Sequence, residues 1–312
     1  MGGPAGSGAT GGATSGEALD GSTGDANATV TDGTCVWGRV DAGEANADNS
    51  SGATGYEART TSLRFGAERE VAPGWTVGAA LAYDTSIVDA DRDLARLDGE
   101  GVTGGAYVTR EAGRWTISGG VTAGHAWYDS RRTVFIGDQE FDVTGSPDLG
   151  YAGLHARAVY DVALPPTLAS QFYLRPQASL DATRVTLNGF TEEGSDFALS
   201  VDDASDTLLS ATLAVEAGSD YALGRGRTLR SYARLGGTFY DDHSWTNSAS
   251  LAAVSGADGF EADTGLPDAV AELNAGVALV TDRNLTVSLE YEGQLGHDFS
   301  GNSVGLKATY RF

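Results

Sequence analysis

Apolar and polar residues alternate with a period of two along most of this chain. In residues 75–84, Trp75, Val77, Ala79, Leu81 and Tyr83 fall on one face, while Thr76, Gly78, Ala80, Ala82 and Asp84 fall on the other. That period is the mark of a strand, whose successive side chains point to opposite sides. Leu209, Ala211, Leu213 and Val215 oppose Ser210, Thr212, Ala214 and Glu216 in the same way, and Leu285, Val287, Leu289 and Tyr291 oppose Thr286, Ser288, Glu290 and Glu292. The alternation reaches the last residue, with Val304, Leu306, Ala308, Tyr310 and Phe312 against Gly305, Lys307, Thr309 and Arg311. Phe172, Leu174, Pro176, Ala178 and Leu180 follow it too, although Pro176 costs that strand one ladder hydrogen bond.

About twelve such segments are predicted, each of roughly 9 to 15 residues, which is the length of tilted membrane strands rather than of soluble sandwich strands. They begin near Thr34, Tyr56, Gly74, Asp98, Arg114, Asp148, Ser170, Asp206, Arg227, Pro267, Arg283 and Gly301. Their connections alternate in length. Short ones contain Ala72-Pro73-Gly74, Glu111-Ala112-Gly113, Leu164-Pro165-Pro166, Leu223-Gly224-Arg225 and Thr281-Asp282-Arg283, and long ones cover residues 42–55, 86–98, 128–149, 186–206 and 241–266. Short turns at one end and long loops at the other are the asymmetry of an outer-membrane barrel. The expectation is therefore an all-β fold: a transmembrane antiparallel up-and-down β-barrel of about twelve strands over residues 34–312. Residues 1–33 hold four acids, no base, and only Met1, Leu19 and Val30 as larger apolar side chains, so they read as a flexible Gly-rich linker.

Charge sorts along the same axis. The formal net charge is -23, and the five long loops hold 22 Asp or Glu against four Arg, so the acidity belongs to one rim. So acidic a chain, with Lys307 its single lysine, lacks the basic surface that phosphate neutralisation needs, which excludes nucleic acid as a partner. The single cysteine, Cys35, excludes an internal disulfide and any multi-cysteine metal site. No stretch approaches the roughly 18 uninterrupted apolar residues of a spanning helix, an exclusion that leaves a barrel open. Met1-Gly2-Gly3-Pro4 has neither a basic nor an apolar leader, so an exported protein would be expected to be a fragment of a longer precursor or to begin at another methionine. Trp75 and Tyr83 share a face eight residues apart, or about 20 Å at a tilt near 40°, close to the spacing of two aromatic girdles.

Placing the charged positions of the alternation away from lipid predicts a lumen lined by Arg64, Glu68, Arg157, Arg175, Asp181, Glu216, Arg230, Arg234, Glu272, Glu290 and Glu292. A barrel of about twelve strands leaves room for one segment about 10 Å wide.

Motifs of soluble chemistry fail on context. Gly301-Asn302-Ser303-Val304-Gly305 matches a nucleophile elbow but opens a terminal strand with no helix after it. Gly6-x-Gly8-x-x-Gly11 and Gly99-x-Gly101-x-x-Gly104 match a dinucleotide fingerprint without the helix that would receive a pyrophosphate. Asp89, Asp91, Asp93 and Glu100 have calcium-loop spacing, but Leu94 stands where that loop needs Gly, so an acidic solvated loop is expected. His125, His155, His243 and His297 are scattered and read as loop or rim residues; a surface-protease reading would need Asp242 or His243 beside His297. No catalytic residue, cofactor or metal is assigned.

Val36-Trp37-Gly38-Arg39-Val40, the run Leu174-Arg175-Pro176-Gln177-Ala178, the later Gly189-Phe190-Thr191-Glu192-Glu193-Gly194 and the terminal Tyr310-Arg311-Phe312 fall in order along the chain. Together they resemble the first strand, central segment and terminal aromatic signature of the autotransporter (type V secretion) translocator β-domain, over about Val36 to Phe312. The resemblance implies twelve antiparallel strands in a Gram-negative outer membrane, and a pore through which a linker passes to an N-terminal passenger. It further implies contact with outer-membrane lipid and lipopolysaccharide, and a barrel-assembly machinery that reads Tyr310 and Phe312. The function expected is thus export or anchoring of a passenger, without enzymatic chemistry. A passive diffusion channel and a structural or adhesive surface barrel are the alternatives.

Overall fold

The computed structural model describes residues 33–49, 55–90, 94–164, 171–241, 244–253, 259–265, 267–281 and 284–312. The linker expected over residues 1–33 thus lies outside the described residues, except for Gly33. Twelve long strands form one antiparallel sheet: β1 (Thr34–Ala47), β2 (Tyr56–Ala72), β3 (Trp75–Ala90), β4 (Ala95–Ala112), β5 (Trp115–Ile136), β7 (Asp148–Tyr160), β8 (Gln171–Leu187), β11 (Ala204–Gly224), β12 (Arg227–Tyr240), β15 (Ala269–Val280), β16 (Leu285–Gly296) and β17 (Phe299–Arg311). Five short strands lie between them: β6 (Gln139–Gly145), β9 (Phe190–Thr191), β10 (Leu199–Val201), β13 (Ser244–Leu251) and β14 (Phe260–Gly265). No helix occurs among the described residues.

The twelve-stranded sheet closes on itself because β1 pairs with both β2 and β17, while β4 pairs with both β3 and β5. Closure gives every ladder a partner, the condition for strands to stand in lipid. At the seam the backbones of Thr34 and Phe312 exchange two hydrogen bonds, of 3.2 and 3.0 Å. The chain therefore enters and leaves the barrel at the same rim, the one made of short turns. Those turns are tight because Gly74 and Gly224 hold φ of 69° and 77°, where a Cβ is unwelcome.

The alternation now has a physical meaning, since the usual distribution is inverted. Leu81 is 69% exposed on the outer surface of β3 and Leu235 is 64% exposed on β12, whereas Arg175 is 2% exposed and Thr238 is fully buried. A water-soluble protein would lose stability by this arrangement; in a bilayer the apolar face meets hydrocarbon and the polar face meets the lumen.

Two expectations are corrected. The strands reach up to 22 residues in β5, longer than the 9 to 15 expected, because the hairpins carry on past the lipid. On β5 the outward residues Trp115, Ile117, Val121 and Trp127 are exposed, and beyond Trp127 the outward positions are Asp129 and Arg131, so hydrocarbon is left behind while the backbone pairing continues. Secondly, three of the long connections, within 128–149, 186–206 and 241–266, contain strands of their own. β9, β10, β13 and β14 form a separate four-stranded sheet at the long-loop end, and β6 folds back on β5. Leu149, Leu187, Val201 and Ala249 make a small apolar core beneath that sheet, with Phe190, Leu199 and Phe260 packed against it.

Candidate functional site: a charged lumen

The interior wall is built by odd positions of β1 and β8 and even positions of β2, β11, β12, β15 and β16. A charge buried there is stable only when paired and hydrogen-bonded. On one side Arg39 bonds Asp41 and Glu290, each at 2.6 Å, and Arg64 lies 3.4 Å from Asp41. On the other, Arg175 bonds Asp161 at 2.5 Å, lies 3.6 Å from Glu216 and stacks over the Tyr173 ring at 4.3 Å. Arg230 bonds Asp220 through two nitrogens, at 2.8 and 3.0 Å. The structure thus brings opposite charges together in local sets spread over the wall.

The remaining residues expected in the lumen are placed as follows. Glu68 accepts a 2.7 Å hydrogen bond from the Tyr107 hydroxyl and a 3.0 Å one from the Cys35 thiol. Arg157 donates to Gln177 at 3.0 Å. Asp181 meets Nδ1 of His155 at 2.8 Å. Glu272 accepts from Thr238, whose hydroxyl also meets that of Thr212 at 2.7 Å. Arg234 is buried and stands opposite Glu216 in the ladder, and Glu292 is half-buried opposite Asn274. Tyr310 and Phe312 are exposed on the outer surface at the short-turn rim, their rings stacked at 6.1 Å.

Some interior residues escape the sequence reading. Arg39 and Asp41 carry the alternation of β1 but sit in a strand short of large apolar partners, and Lys307 is buried with its ammonium over the Trp37 ring at 5.6 Å. His155 corrects the expectation that the histidines are loop or rim residues: it lies within β7, buried, because Asp181 on the next strand supplies an acceptor. His125 also lies in a strand, on β5, 3.2 Å from Asp148, whereas His297 is at the β16–β17 turn. Asp242 and His243 lie outside the described residues, as do Asp91 and Asp93 of the acidic loop, where Asp89 is 3.3 Å from Arg96.

Aromatic side chains inside the wall lie flat across glycines of the neighbouring strand. The Tyr107 ring covers Gly78, Tyr151 covers Gly124, Tyr173 covers Gly218 and Tyr232 covers Gly276, each at a distance where a Cβ could not fit. Because the glycine offers no side chain, the phenol spans a whole strand. Tyr107 on β4 thereby crosses β3 to reach Glu68 on β2, and Tyr151 on β7 crosses β5 to reach Thr103 on β4.

Against known proteins, residues 36–292 match the family model described as the autotransporter beta-domain. The chain is similar in fold to the translocator domain of the autotransporter NalP from Neisseria meningitidis, with a TM-score of 0.72 at 16% identity, covering 95% of this chain and 94% of that one. It is likewise similar to the beta domain of the Bordetella autotransporter BrkA, at 0.62 and 20%, over 89% of this chain and 98% of that one. Among curated sequences, an extracellular serine protease of Serratia marcescens is 24% identical over 89% of this chain and 26% of its own length. Esterase EstA of Pseudomonas aeruginosa is 25% identical over 50% of this chain and 24% of its own. The chain spans about a quarter of the length of these curated relatives.

Proposed function

The chain belongs to the autotransporter β-domain family and is an outer-membrane translocator barrel of a Gram-negative bacterium; from that premise we propose that it passes an N-terminal passenger through its lumen and performs no chemistry of its own. The observation that carries the route is the seam. β1 starts beside Phe312 at the short-turn rim, which in outer-membrane barrels faces the periplasm. Whatever precedes Thr34 and is displayed at the opposite rim must therefore cross the lumen. An extended chain needs about 10 residues to cross a hydrocarbon core of about 30 Å, so residues 1–33 supply enough length for a tether.

In this reading Arg64, Glu68, Arg157, Arg175, Asp181, Glu216, Arg230, Arg234, Glu272, Glu290 and Glu292 form the wall of the passage. Paired charges let peptide groups of an unfolded chain exchange hydrogen bonds with wall and water instead of being desolvated. The other partners proposed are lipopolysaccharide around the outer rim and an assembly machinery engaging Tyr310 and Phe312. The test is a folded reporter fused upstream of Met1 behind a signal peptide, with protease added to intact cells. Removal of the reporter is expected; its persistent protection, with the barrel itself inserted, would defeat the secretion reading.

A further inference from the structure

Six arginines elsewhere in the barrel hold carboxylates: Arg39, Arg64, Arg175 and Arg230 inside the wall, Arg96 and Arg132 at the long-loop rim. A different group stands at the short-turn rim. Arg69, Arg110 and Arg227 occupy outward positions of β2, β4 and β12, while Arg114 and Arg225 lie in the turns between β4 and β5 and between β11 and β12. Among the described residues none of these five pairs with a carboxylate. The acids nearby are otherwise engaged: Asp161 with Arg175, Asp220 with Arg230, and Glu70 with the Gly74 amide at 2.8 Å, while Glu111 takes the interior parity of β4.

These arginines sit where apolar wall gives way to water. Trp75, Trp115, Tyr221 and Leu223 are exposed around them, and the Arg110 guanidinium lies 5.0 Å over the Trp75 ring with Nη1 donating to the Pro73 carbonyl at 2.6 Å. Arg110 is thereby held with donors to spare at the level of an aromatic belt, which is the depth of lipid phosphates.

We propose that this rim is a binding surface for anionic phospholipid headgroups of the leaflet that the short turns adjoin, with Arg69, Arg110 and Arg114 forming one phosphate-binding group and Arg225 and Arg227 another. A guanidinium presents a planar fork that matches two phosphate oxygens. The long-loop rim is acidic, with 22 Asp or Glu against four Arg in its five loops, so the two leaflets are distinguished by charge. This goes beyond translocation and holds whether or not a passenger crosses.

The test reconstitutes the folded barrel in vesicles of phosphatidylcholine containing a minority of phosphatidylglycerol, extracts it in mild detergent and measures the lipids retained. Phosphatidylglycerol is expected to be enriched over its bulk fraction. A basic residue at the surface shifts the anionic-lipid ratio by roughly fivefold, so the enrichment should collapse in R69Q/R110Q/R114Q and fall partly in R225Q/R227Q. Lysine at the same positions should retain much of it, since the charge remains, and serves as the comparison if a glutamine variant inserts poorly. Equal retention of the two lipids by the wild-type chain, or an enrichment unchanged in both folded glutamine variants, would overturn the proposal.

Discussion

The hydroxyl of Tyr107 on β4 donates a 2.7 Å hydrogen bond to Glu68 on β2, although a full strand separates them. Gly78 makes this contact possible, standing opposite Tyr107 in one ladder and opposite Glu68 in the other. A Cβ at Gly78 would lie 2.2 Å from the phenol's Cζ, so Gly78→Ala must lift the ring and break the bond. The expected loss is about 1–3 kcal/mol, as for overpacking of a filled interior. Urea unfolding of the reconstituted barrel measures it. In a Tyr107→Ala background the same glycine substitution should cost almost nothing, and an undiminished cost there would refute the account.

Arg175 tests the lumen pairing. With its side chain 2% exposed, Arg175→Ala leaves Glu216 facing the interior without that cation, and losing one partner of a buried pair costs about 3–5 kcal/mol. Glu216→Gln should cost less, because Arg175 keeps Asp161. The double variant is expected to be more stable than the two single losses added together. Strict additivity of the unfolding free energies would show that the 3.6 Å contact carries no coupling.

The strand starts were legible in the sequence because lipid demands strict alternation: the expected Thr34, Tyr56, Asp148 and Arg227 coincide with the observed starts, and Gly301 is two residues from Phe299. What lipid does not touch was not legible. β10 has three residues and β13 reads Ser-Trp-Thr-Asn-Ser-Ala-Ser-Leu, too polar to show an apolar face. The alternation puts the charged residues on one face of each strand, yet it could not give their pairs, since Arg39 meets Glu290 from 251 residues away. His155 was misplaced because a lone histidine carries no periodic signal; only its neighbour Asp181 across the ladder explains its burial.

Deletion of Phe312 removes both backbone hydrogen bonds with Thr34 and one ring of the stacked terminal pair. The seam between β1 and β17 would then fray from the short-turn rim. A several-fold drop in heat-resistant, membrane-inserted barrel is expected in cells. Phe312→Tyr keeps ring and backbone and should restore insertion, whereas Phe312→Ala keeps the backbone bonds alone and so separates the seam from recognition of the terminal aromatic. Undiminished insertion of the deletion variant would remove both roles.

Arg132 is one of the ties between the barrel and the sheet over the long-loop rim. From β5 its guanidinium meets Glu192 through two nitrogens and the Phe197 carbonyl at 3.2 Å, while Glu192 also accepts the Leu199 amide at 2.9 Å. This ion pair joins the backbone bridge between Thr144 of β6 and Glu193 in tying residues 192–199 to the barrel, and the Glu192 carboxylate is only 10% exposed, so solvent screens it little. Arg132→Gln should loosen that segment locally, because its other supports are the Thr144–Glu193 bridge, the Phe141–Phe197 ring contact and the small apolar core around Leu187 and Val201. Limited proteolysis should then cut within residues 188–199 several times faster, with the midpoint of global unfolding almost unchanged, since the twelve ladders of the barrel do not involve this sheet. Equal cleavage rates would place the anchor in the Thr144–Glu193 bridge and the apolar core instead, and a lowered global midpoint would mean that the rim sheet and the barrel unfold as one unit.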